Sequence, residues 1–229
     1  MQIDDIQFPV KSAWEGRLIP PAGSFAAIEE KLPVVSIGQP EWWSDIASGA
    51  ESRALPSGGK RYGLARFAFS LRPEKGQEVR KAELIVVLNP ANGDQKPITF
   101  DLLPKAVNEE QTGTFTISLS PSIKFSSIGN LGSAEAYLGK AEYTIPLRQV
   151  VPVITADGIG ENLAHWVFSL HRARPLTGSQ LTYAIIGLPQ STSAVRAMLH
   201  LKVEIATRIG PIGGIFPEEA REKLSWVLG

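Results

Sequence analysis

The 229-residue chain carries 23 Lys and Arg against 23 Asp and Glu, so no global field draws it to nucleic acid or to an anionic membrane. At 43% hydrophobic and 20% charged it has the composition of an ordinary soluble globular protein that can bury a core. The absence of cysteine excludes disulfides, thiolate metal sites, iron–sulfur clusters and cysteine nucleophiles.

The chain opens on MQIDDIQFPV, with early acids and no apolar stretch of the secretory kind. Runs such as LIVVL and VVPVI fall short of the roughly 18 apolar residues of a membrane-crossing helix. A soluble, cytoplasmic protein with no membrane span is expected. Residues 1–58 hold Pro9, Pro20, Pro21, Pro33, Pro40 and Pro56, a spacing that forbids a long helix and fits an extended, irregular arm. Within it, PEWWSDIAS reads as one short helix, with Trp42 and Ile46 four apart on one face. On such a helix Trp42 and Trp43 point about 100° apart, so one anchors in the core and the other is free to bind. The arm around these two tryptophans is the expected contact surface.

From Tyr62 the rhythm becomes period two. Phe67, Phe69 and Leu71 alternate with Arg66, Ala68 and Ser70, and Phe115, Ile117 and Leu119 alternate with Thr114, Thr116, Ser118 and Ser120. Ala197, Leu199, Leu201, Val203 and Ile205 form the longest such run, and ELIVVLNP, PITFDLLP, YTIPLRQVVPVIT and LTYAIIGLP read as further strands. Many short strands with few helices predict an all-β, antiparallel β-sandwich body over residues 59–216. The final PEEAREKLSWVLG, residues 217–229, predicts a short C-terminal helix with Ala220, Leu224 and Val227 on one face.

FAFSLRP at Phe67 returns as WVFSLHR at Trp166. Sliding the chain by 99 residues brings Ala65, Phe69, Ser70, Leu71 and Pro90 onto Ala164, Phe168, Ser169, Leu170 and Pro189, which suggests two pseudo-repeated halves. The run around 161–172 also fits a helix, through Leu163, Trp166, Val167 and Leu170. Its alignment with the unambiguous strand at Phe67 favours strand.

Sites that carry chemistry are few. His200 lies on the polar side of its strand and is expected to be solvated, while His165 and His171 are about 20 Å apart if extended. ADGIGEN at 156–162 contains G-x-G without the third glycine or a Walker lysine, and reads as a turn. Asp157 and His165 could be drawn into a triad, but no G-x-S-x-G elbow accompanies them. Arg72, with Lys75, Arg80 and Lys81, follows the first FSL, and Arg172 and Arg174 follow the second, so two related tips could grip an anion. No metal or cofactor motif is present and neither is expected. The composition and patterning therefore predict a non-catalytic protein-binding or assembly module, such as a subunit of a larger complex or a phage-like structural protein. Its partner would be another protein or a second copy, bound through Trp42, Trp43, Arg72, Arg172 and Arg174. The alternative is a hydrolase or nucleotide-binding enzyme using the 157–165 loop.

Overall fold

A computed structural model describes residues 11–23, 31–44, 47–48, 59–92, 95–107, 113–118, 123–124, 142–147, 153–170, 176–192, 194–207 and 210–229. In chain order its strands are β1 (Ser12–Arg17), β2 (Val34–Gly38), β3 (Glu41–Trp43), β4 (Ala47–Ser48), β5 (Lys60–Arg72), β6 (Glu78–Pro90), β7 (Ile98–Leu103), β8 (Ala106–Val107) and β9 (Gly113–Ser118). These are followed by β10 (Ile123–Lys124), β11 (Glu142–Leu147), β12 (Val153–Asp157), β13 (Leu163–Ser169), β14 (Gly178–Pro189), β15 (Val195–Thr207) and β16 (Gly210–Ile215). A short helix α1 (Glu218–Lys223) and β17 (Ser225–Leu228) complete the described elements. The fold is an all-β sandwich of two antiparallel sheets with little helix.

One sheet has six strands in the order β1-β2-β5-β14-β7, with β3 also on β5. The other has seven, in the order β16-β15-β6-β13-β12-β8, with β17 also on β15. Period-two alternation builds the interface between them: Ala65, Phe67, Phe69 and Leu71 of β5 face Leu84, Val86, Ala164, Trp166 and Phe168, all buried in one cluster. Fully burying each large side chain of this set stabilises the sandwich by about 1.5–3 kcal/mol. The repeat has a physical meaning here. Phe67 lies 6.3 Å from Trp166, ring centre to ring centre, and Phe69 meets Phe168 edge-on at 5.1 Å. Residues 99 apart in sequence therefore touch across the core. The pairing follows the same exchange: β14 lies between β5 and β7, and β6 lies between β13 and β15.

Both flanks of the sandwich are tied. Ile19 and Ile215 exchange two backbone hydrogen bonds of 2.9 Å, joining the β1 and β16 sides. On the opposite flank the chain turns from β7 into β8, and the buried Thr99 donates its hydroxyl to Leu163 O at 2.8 Å and its N–H to Glu161 O at 2.7 Å.

Two local expectations are corrected. Residues 41–43 are strand, not helix, because Glu41, Trp42 and Trp43 pair with Arg66, Ala65 and Leu64; a ladder on a long central strand outweighs the i,i+4 spacing of Trp42 and Ile46. At the C-terminus the helix stops at Lys223, and Ser225–Leu228 pair with Val195–Met198 of β15, leaving Val227 exposed instead of on a helix face. Residues 163–169 are strand, in agreement with the sequence pattern.

Candidate functional site

Strand alternation sends the two adjacent tryptophans to opposite faces of the six-stranded sheet. Trp42 packs against the main core over Gly63, where an added Cβ would lie 2.1 Å from the indole. Trp43 joins a second, smaller cluster on the outer face with Tyr62, Leu64, Ile185, Phe100 and Tyr183. Beside it, the buried Arg66 pairs with Glu41 and sits 5.9 Å from the centre of the Trp43 ring. Both indoles are half-buried.

Arg72 is exposed and forms an ion pair with Glu15 at 2.7 Å while also donating to Ser36. The Arg72 and Ser36 hydrogen bonds hold the Glu15 carboxyl below the usual carboxylate range. Arg172, Arg174 and His171 lie outside the described residues, so the proposed pairing of the two basic tips is not visible. His200 is half-buried, not freely solvated as its strand position suggested. Burial first, then the charges of Arg221 on α1 and Lys202 on its own strand, hold its pKa below the ordinary value.

The 157–165 loop is a turn. Asp157 Oδ1 accepts the Gly158 N–H at 2.7 Å, and Gly158 has φ +106 with Leu163 O only 2.2 Å from where a Cβ would stand. Glycine is required there by the backbone. The loop runs straight into β13, so no helix N-terminus stands behind it to bind phosphate. His165 is the cross-strand partner of Asp157, but its Nε2 is enclosed without a hydrogen-bond partner, 3.8 Å from Glu83 Oε2. Glu83 is engaged by Lys81, whose hydrogen bond lowers its pKa. Among the described residues no three potential metal ligands cluster.

The arrangement that stands apart is the pair β9 and β11. These strands hydrogen-bond to each other and form their own two-stranded sheet, outside both large sheets. Their roots are held together: the chain departs after β8 and returns into β12, and β8 and β12 pair through Ile154 with Val107 and Thr155 with Ala106. The register of β9 and β11 sets Phe115 opposite Ile145, Ile117 opposite Tyr143, Thr116 opposite Thr144 and Ser118 opposite Glu142. Apolar positions meet apolar ones and polar meet polar. Sequence reading found the β9 alternation but took it for one more half-buried strand of the body. The missed signal was its continuation: the odd-numbered positions also include Ile123, Phe125, Tyr137, Tyr143, Ile145 and Leu147.

No protein-family model and no curated protein sequence matches the chain. Solved structures to which the chain shows a likeness include Clostridium perfringens delta-toxin, at 13% identity over 82% of this chain and 81% of that one, with a TM-score of 0.41. The Clostridium perfringens NetB toxin in its membrane-inserted form gives 8% identity, coverage of 93% and 94%, and a TM-score of 0.34. A structure described as a pore-forming protein gives 11%, 87% and 92%, and 0.30. The sequence-based reading as a cytoplasmic binding or assembly module, with the hydrolase or nucleotide-binding enzyme as alternative, is corrected here: the similar structures are described as toxins and a pore-forming protein. An 18-residue apolar window tests for helices only; strands that cross a membrane alternate and need only about 9–11 residues, so the window is silent on them. At 8 to 13% identity and TM-scores of 0.30 to 0.41 these likenesses assign no function to the chain.

Proposed function

We propose that the protein permeabilises membranes by self-association, several copies inserting residues 113–147 as a shared β-barrel. The observation that supports this most is the odd-with-odd register of β9 and β11. Continued toward the tip, it would set Ile123 opposite Tyr137 and turn the hairpin at Gly129, Asn130 and Leu131. Over residues 113–125 the odd positions are mainly Phe, Ile and Leu and the even ones Thr, Ser and Lys; on the returning arm Tyr137, Ala141, Tyr143, Ile145 and Leu147 keep the odd set apolar, while the even set is mixed, with Ala134, Ala136 and Leu138 beside Lys140, Glu142 and Thr144. That is the alternation of a barrel strand, apolar toward lipid and polar toward the lumen. Phe115 and Tyr143 stand at the root side of the apolar set and Phe125 and Tyr137 at the far side. At about 3.3 Å per residue Phe115 and Phe125 would be about 33 Å apart and Tyr143 and Tyr137 about 20 Å, values that bracket the apolar band of about 25 Å that aromatic girdles flank. Ser127, Ser133 and Glu135 at odd positions and Ile128 and Leu138 at even ones depart from the pattern; Glu135 would fall opposite Phe125 toward the tip, where a charge costs least. Each chain supplies two strands, so a barrel of about eight or more needs about four or more copies.

Release of a trapped dye from lipid vesicles, zwitterionic and mixed anionic, tests the reading. Wild-type protein should release dye and form oligomers that survive mild detergent. Ile117→Asp, a charge on the lipid-facing set, should lower release at least tenfold, whereas Thr116→Asp, the same charge one residue earlier, should retain most of it. Equal effects of the two variants, or no release by wild type from any vesicle, would overturn the proposal.

A further inference from the structure

The segment proposed to insert carries four charged residues, Lys124, Glu135, Lys140 and Glu142. Three of them belong to the even set, and they are unevenly placed. Glu142 stands opposite Ser118 in the register of β9 and β11, and Lys140 precedes it by two residues in sequence. Along one barrel strand that is about 7 Å, at about 3.3 Å per residue, and within the Debye length of about 10 Å at 0.1 M salt, so these two opposite charges would offset each other. Lys124, the last residue of β10, would have no such neighbour in the lumen. The same register would set it opposite Ala136, with Ser122 and Ser126 flanking it on its own arm and Ala134 and Leu138 flanking Ala136. Glu142 would lie level with Ser118, six residues or about 20 Å back along the strand, beyond the reach of a screened charge. Glu135 is in the odd set and so on the other face of the barrel wall.

We propose that Lys124 sets the ion selectivity of the pore: one lysine from each copy makes a ring of positive charge in the lumen that admits small anions in preference to cations. The inference rests on the reading of residues 113–147 as barrel strands. Rotational symmetry puts the Lys124 of every copy at one height, so the charge at that level equals the number of copies, about four or more. Such a ring concentrates ions of opposite sign and repels those of its own. It needs no field from the chain as a whole, whose net charge is zero.

Pores in a planar bilayer between two potassium chloride solutions of unequal concentration report selectivity as the sign of the zero-current potential. At about 0.1 M salt, wild-type pores should pass chloride about twofold or more over potassium, and at about 1 M, where the Debye length falls to about 3 Å, the preference should shrink toward none. Lys124→Glu should reverse the preference and Lys124→Arg should keep it, while Glu142→Gln, which leaves Lys140 unmatched, should increase it. The absence of native cysteine gives a second route. Open Lys124→Cys pores treated with a cationic thiol reagent should regain the wild-type preference, and with an anionic one should favour potassium. Wild-type pores that favour potassium or neither ion at about 0.1 M salt would overturn the proposal. So would Lys124→Glu pores that still favour chloride, or Lys124→Cys pores that respond to neither reagent. No conductance from wild-type protein would instead overturn the barrel reading itself.

Discussion

At the scale of single residues, what decides the structure is which side chain sits over which backbone. The Trp42 indole occupies the space where a side chain at position 63 would begin. Gly63→Ala must displace the ring from the core, and about 1–3 kcal/mol of lost stability is expected, read as a lower urea midpoint. An unchanged midpoint would mean that Trp42 is not held there. His200 makes a pH prediction. Its folded pKa lies below the ordinary 6.5 because burial and the charges of Arg221 and Lys202 oppose the imidazolium. The unfolded chain therefore takes up the proton more readily, and this contribution to stability is present above about pH 6.5 and lost as pH falls through the folded pKa. His200→Gln should flatten the fall in unfolding free energy between pH 7.5 and 5.5 relative to wild type; parallel profiles would contradict the assignment. In sequence, the period-two rule placed His200 on the polar side correctly. It could not show α1 bringing Arg221 against it, because that approach depends on where the chain's last turn docks.

At the scale of elements, the aromatic pairs between sheets carry the body, and the proposed function rests on the separate pair β9 and β11. Phe168→Ala should cost about 3–5 kcal/mol. A double-mutant cycle with Phe69→Ala should show coupling of about 0.5–1.5 kcal/mol from their edge-on contact, and none if the rings do not meet. The body strands were legible because alternation is enforced wherever one face is buried: β5, β6, β7, β13, β14 and β15 all lie where period two or a Pro-bounded apolar run indicated. β3 and β17 were not, since EWW and SWVL are too short to show a period and take their state from the neighbours β5 and β15. The hairpin was half legible. Its alternation in β9 was visible, but an alternating strand that would meet lipid, as proposed, looks the same as one that meets a protein core. The separation of β9 and β11 from both large sheets distinguishes them, and that is a property of pairing.

At the scale of the whole molecule, the neutral chain brings no long-range field to its partner, so the affinity for a bilayer that the proposal requires would come from apolar contact. A sandwich tied at both flanks is a body that can stay folded while an inserted segment leaves it. β8 and β12 pair where the chain leaves for and returns from residues 113–147, so the proposed insertion would leave the core between β5 and β13 in place. The 99-residue similarity belongs to this body: its paired strands exchange partners across the sandwich, and residues 113–147 fall between the two similar stretches. The central claim is that odd positions of this segment enter lipid and even ones face water. Single cysteines placed in turn at residues 114 to 119, each carrying an environment-sensitive fluorophore, measure it most directly. On membrane-bound oligomers the account predicts blue-shifted emission, quenched by lipid-borne nitroxides, at 115, 117 and 119, and water-like emission at 114, 116 and 118. A profile without that two-residue period, or one unchanged from the protein in solution, would contradict it.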